Sequence, residues 1–113
     1  MKSDFNKIMK ISSELLSYCH LRGAHDFYLE ITEKEGATVL AISSFPASLT
    51  DEEFSLLEKK LNAPRAREIE HDFWGLSGTS DKTSEIALIG MMTDEVTIKY
   101  KDQVLEIGLT RLH

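Results

Sequence analysis

Hydrophobic and polar positions divide the chain into segments of two periods. Over residues 5–22, Phe5, Ile8, Ile11, Leu15 and Tyr18 recur at steps of three and four, and Met9, Leu16 and Cys19 widen the stripe. This spacing predicts an amphipathic helix, with Arg22-Gly23 as its stop. Residues 26–32 then alternate, with Phe27, Leu29 and Ile31 on one side and Tyr28, Glu30 and Thr32 on the other. That is the period of a strand. Glu33-Lys34-Glu35-Gly36 reads as a charged turn, and Thr38 to Ser43 pairs back as a second strand, whose Leu40 and Ile42 are expected in the core.

Phe45-Pro46 ends that strand, and Thr50 opens a helix. Thr50 and Glu53 form a capping-box pattern, and Leu49 with Phe54 a hydrophobic staple. Asp51 and Glu52 suit the positive end of the helix dipole, Lys59 and Lys60 its negative end. Phe54, Leu57 and Leu61 form the apolar stripe, and Asn62 and Pro64 close it. Within residues 65–78, Ile69, His71 and Phe73 alternate with Glu70, Asp72 and Trp74, the pattern of a short edge strand. Gly75 and Gly78 lead to a helix from Asp81 to Met92, apolar on nearly all sides and therefore expected to be central. Val96, Ile98 and Tyr100, a turn at Lys101-Asp102-Gln103, and Leu105, Ile107 and Leu109 complete a second hairpin. The predicted fold is α+β, in the order α-β-β-α-α-β-β: a two-layer sandwich with a mixed or antiparallel sheet of two hairpins and about three helices on one face.

Composition narrows the function classes. The 113 residues fit one domain spanning 1–113. Hydrophobic residues make up 42% and charged residues 28%, the balance of a globular protein. A net charge of −6 argues against nucleic acid, whose binders need clustered Lys and Arg. Cys19 is the single cysteine, so no internal disulfide forms, and a structural zinc site lacks its usual ligands. With no apolar run of signal or membrane-spanning length, the expected location is the cytoplasm, with no membrane contact.

The run Ile86-Ala87-Leu88-Ile89-Gly90-Met91-Met92-Thr93-Asp94-Glu95-Val96, followed by a hairpin, resembles the last helix of the GHKL ATPase domain of histidine kinases and anti-sigma-factor serine kinases. There a leucine-rich helix runs into Asp and Val and then two strands. The N-terminal helix is similar as well, because Glu14 stands where the family's N box carries a glutamate. The resemblance implies a GHKL-like scaffold. It implies ATP binding only if the family's ligands are present, and several positions depart from its motifs. Tyr18 occupies the place of the magnesium-holding Asn, and a neutral phenol is a poor Mg²⁺ ligand. Ser43-Ser44-Phe45-Pro46-Ala47-Ser48 stands where an Asp-x-Gly-x-Gly motif reads adenine. Ser84-Glu85 stands just before the apolar run of the last helix, where glycines would cradle phosphate, and a carboxylate there repels phosphate.

The expected function is therefore a non-catalytic regulatory or protein-interaction domain, acting on a protein partner or as a homodimer, without a cofactor. The alternatives are an ATP-binding anti-sigma-type kinase, with Glu14 as its base, and a small-molecule sensor using the former pocket between the sheet and helix 50–61. The plainer reading of Glu14 is a solvent-facing helix carboxylate. Cys19, His20 and His25 match no established zinc spacing and read as a polar helix terminus. Glu68, Glu70 and Asp72, with His71 facing away, read as the solvated face of an edge strand rather than a cation site. Phe73 and Trp74 are the candidate interaction residues, with core packing as the competing role.

Overall fold

The structure, a computed structural model, describes residues 2–63, 65 and 82–113. Its elements are α1 (Lys2–Leu21), β1 (Asp26–Lys34), β2 (Ala37–Phe45), α2 (Asp51–Leu61), α3 (Lys82–Gly90), β3 (Glu95–Lys101) and β4 (Val104–Leu112). The α+β class and the α-β-β-α-α-β-β order are those expected from the periodicities. The edge strand read in residues 65–78 lies outside the described residues.

Local chemistry accounts for the element ends. α1 stops at Gly23, whose φ of 99° is the left-handed conformation that a Cβ disfavours. Ala24 N–H bonds back to Cys19 O and Gly23 N–H to His20 O, which is the Schellman pattern, and Ala24 and Cys19 are both buried beneath it. At the start of α2, the Thr50 hydroxyl accepts from Glu53 N–H (3.1 Å), and Glu53 Oε1 accepts from Thr50 N–H (2.8 Å). The capping box is thus complete. That backbone bond holds the Glu53 carboxyl below the usual range. Its contribution to stability is accordingly full at neutral pH and is lost as pH falls through the lowered value. Asp102 and Gln103 both take positive φ, 53° and 66°, between paired Lys101 and Val104. A two-residue turn of this kind follows the twist of its strands.

All strand pairs are antiparallel, and the sheet order is β1-β2-β4-β3. The two hairpins therefore join through β2 and β4. Register sets Leu29, Ile42, Ile107 and Ile98 in one row across the sheet, and Ile31, Leu40, Leu109 and Val96 in the next. α1 lies over β2 and α2 over β3, and α3 packs against both helices. Ile11, Leu15, Leu61, Ile89, Met92, Leu105 and Ile107 are among the fully buried side chains between the layers. α3 is less enclosed than its composition implied, since Ala87, Leu88 and Met91 are only half-buried. Its far end is tied to β4: Arg65 donates to Asp94 Oδ2 (2.7 Å) and to Leu112 O (2.9 Å), and Asp94 Oδ2 also accepts from Leu112 N–H.

α3 approaches the backbone of α2 closely at Gly90. A Cβ there would lie 2.2 Å from Lys60 O and 3.0 Å from Leu61 Cα, both backbone atoms. Gly90→Ala should therefore cost about 2–3 kcal/mol by forcing α3 off α2. Gly36→Ala, where nothing lies within 4 Å but φ is 83°, should cost only about 1–2 kcal/mol from the left-handed backbone. Urea denaturation of the two variants measures both; equal losses would contradict the contact.

Candidate functional site

The positions that matter for a nucleotide site fall around the C-terminal half of α1. Tyr18 sits one turn after Glu14, and both are buried. This corrects the expectation of a solvent-facing Glu14: its side chain is 8% exposed and pairs with Lys10 Nζ at 3.4 Å, one helical turn back.

The segment after β2 is folded inward. The Phe45–Pro46 peptide is cis. Ala47 is fully buried, whereas Phe45 is 42% exposed, so the Phe45 ring does not fill the space beside α1. The backbone groups of the segment are committed to the protein itself. Ala47 N–H donates to Gln103 O (2.8 Å) and Ser48 N–H to Arg22 O (2.8 Å). The Tyr100 hydroxyl donates to Ala47 O (2.8 Å) and accepts from Leu49 N–H (3.2 Å). The Tyr100 ring stacks on Phe54 of α2 with centroids 6.3 Å apart. Three amides that could face a ligand are thus bonded to the turn of the second hairpin, to the end of α1 and to β3.

A small cleft of about 40 Å³ remains between the helices, lined by Tyr18, Arg22, Glu53, Leu56, Leu57, Lys60 and Ile86. It lies between α1, α2 and α3, not between the sheet and α2 as expected. Arg22 and Glu53 form an ion pair across it. The Arg22 guanidinium sits 5.3 Å from the Tyr18 ring centroid, within cation–π range. Arg22 Nε is buried without a hydrogen-bond partner. Burial pushes the Tyr18 hydroxyl pKa up, partly opposed by Arg22, so the phenol stays neutral and is no magnesium ligand at ordinary pH. The Arg22–Glu53 pair had no signal in the sequence, because its members stand 31 residues apart. Arg22 read only as part of a helix stop.

The other candidates disperse. Cys19 is fully buried beneath the end of α1, while His20 and His25 are exposed. Among the described residues, no three of His, Cys, Asp and Glu gather to hold a metal. Phe73 and Trp74, together with Glu68, Glu70, His71 and Asp72, lie outside the described residues. Ser84 and Glu85 fall within α3, in its first half. No helix among the described residues is long and apolar enough to cross a membrane. No family model matches the chain, and no curated protein matches it.

Two outcomes follow from this geometry. Tyr100→Phe removes one hydroxyl but strands two buried backbone partners, so it should lower stability by about 1–3 kcal/mol in urea denaturation. A loss near zero would mean that water takes its place. Burial also raises the Cys19 thiol pKa, with a weaker opposing bond from Ser44. A disulfide reagent should therefore label Cys19 only as fast as the native protein opens, and denaturant should accelerate it steeply.

Proposed function

We propose that the chain is a non-catalytic regulatory or protein-interaction domain on a degenerate GHKL-like scaffold. The observation that carries this reading is the commitment of the Ala47, Ser48 and Leu49 amides to partners within the protein. A nucleotide site at this point of the family's scaffold needs backbone that can approach the ligand. Here Pro46 has no N–H, and the next three amides are used. The Lys10 partner of Glu14 and the neutral Tyr18 weigh the same way against metal-assisted phosphoryl transfer. The interaction half of the reading is supported by the surface. Phe27, Tyr28 and Leu29 on β1, and Phe5 and Met9 on α1, are exposed apolar side chains. Large apolar groups exposed on a small domain mark contact with another protein. The setting that best fits such a domain is the cytoplasm.

A second reading, a small-molecule sensor, is favoured by the interhelical cleft and the unpartnered Nε of Arg22. Its ligand would enter between α1 and α2, with Leu56 and Leu57 as apolar wall and Arg22 as polar anchor.

Thermal unfolding with and without Mg²⁺ and ATP tests the proposal. A ligand at 100 times its Kd adds about 2.7 kcal/mol. No shift is expected at millimolar nucleotide. A shift that requires Mg²⁺ and disappears in Glu14→Ala would overturn the non-catalytic reading and install the kinase alternative.

A further inference from the structure

The strand β1 differs from every other strand in what covers it. Eight of its nine residues are exposed, and only Ile31 is half-buried. Register places Phe27, Leu29 and Ile31 on the same face as Ser44, Ile42 and Leu40, which is the face the helices cover elsewhere. Yet α1 lies over β2, and Phe27 and Leu29 remain 43% and 37% exposed. On α1, Phe5, Met9, Ser12, Leu16 and Cys19 follow at steps of four and three along one ridge. Phe5 and Met9 on it are 39% and 45% exposed.

β1 is also a sheet edge among the described residues, and its backbone on that side offers a row of N–H and C=O groups. The opposite edge, β3, is blunted. Its inward residues Val96, Ile98 and Tyr100 pack on the core, and Lys99 and Lys101 stand on its exposed side. The inward face of β1 carries no charge from Phe27 to Ile31.

We infer that β1 pairs with β1 of a second copy of the chain, antiparallel about a two-fold axis at Leu29, to make one continuous eight-stranded sheet. The inference rests on the interaction reading above and names its partner. The sequence of β1 favours this register over those centred on the neighbouring Tyr28 and Glu30. A shift by an odd number of residues sets the apolar face against the polar one and is excluded. Centred on Tyr28, the strands oppose Asp26 to Glu30 of the partner subunit. Centred on Glu30, they oppose two Glu30 carboxylates across the axis. Like charges directly opposite are destabilising. Centred on Leu29, Phe27 meets Ile31, Leu29 meets itself, Tyr28 meets Glu30, and Asp26 meets Thr32. Glu33 then faces His25, and Lys34 lies diagonal to Asp26, so no like charges are opposed at the strand ends.

Analytical ultracentrifugation reads the outcome. The wild-type chain should sediment as a dimer at about 100 μM, and hydrogen exchange of the residue 27–33 amides should slow as concentration rises into that range. Leu29→Lys and Leu29→Glu should each weaken the dimer by roughly tenfold or more, because the substituted charges meet on the axis. An equimolar mixture of the two should restore it as a heterodimer. Ser55→Lys, on an exposed face of α2, should leave the dimer intact. A wild-type monomer at that concentration overturns the proposal. So does a dimer indifferent to both Leu29 variants, or one whose β1 amides exchange at the same rate at every concentration. The wild-type exchange measurement decides the matter even if a variant fails to fold. Failure here leaves the nucleotide test untouched: a monomer that still ignores Mg²⁺ and ATP keeps the interaction reading with another partner. A dimer stabilised by Mg²⁺ and ATP keeps the sheet pairing and overturns the non-catalytic reading.

Discussion

The pairing of β2 with β4 is the constraint on which the architecture turns. Each hairpin closes through its own local turn, but neither can bury its apolar face alone. Joining them through their second strands sets Leu40, Ile42 and Ser44 against Leu109, Ile107 and Leu105, the middle of the inner face. The helices must then lie over this middle. Strands are spaced about 4.8 Å apart and packed helices about 10 Å. Two helices side by side on a four-stranded sheet therefore have little width to spare, and their placement decides which edge is protected. With α2 over β3 and α1 over β2, the layer is displaced towards β3. The exposure of Phe27 and Leu29 is the consequence of that offset, not a defect of the strand.

The same economy shapes the segment between β2 and α2. A buried chain must satisfy its own amides and carbonyls. Here the solution uses three distant elements: the second hairpin turn takes the Ala47 amide, the end of α1 takes the Ser48 amide, and the Tyr100 hydroxyl serves both Ala47 O and Leu49 N–H. Each bond that ties the segment down removes a group that a phosphate or an adenine edge would require. Rigidity and ligand binding compete for the same amides, and in this chain the fold has them. What stays open is the space one layer away, between α1 and α2, where side chains rather than backbone form the walls and the charges of Arg22 and Glu53 oppose each other.

Features written in local chemistry were legible in the sequence. The Thr50–Glu53 capping box, the Gly23 stop, both hairpins and the burial of Leu40 and Ile42 each depend on residues a few positions apart or on a two-residue period. The candidate site was much less legible, because its determinants are tertiary. Glu14 reads as exposed on a helical wheel, yet it is buried where α1 meets its neighbours. Phe45 follows the strand alternation and turns outward, while the small Ala47 enters the core. Phe27, Leu29 and Ile31 carry the same alternation as Val96, Ile98 and Tyr100, and periodicity alone cannot say which of the two edges a helix will reach.

That last ambiguity bears directly on function. Two edge strands with the same inward pattern differ in their outward residues: β3 alternates Glu95, Thr97, Lys99 and Lys101, while β1 has Tyr28 and Glu30 at its centre and its charges mainly at its ends. Lysine along an edge is a common guard against pairing. An edge guarded where the core already protects it, and left unguarded where the helices fall short, is the reverse of what a free monomer needs. An uncovered strand of this kind has room for a partner, and paired about the central Leu29 two copies of it oppose no like charges.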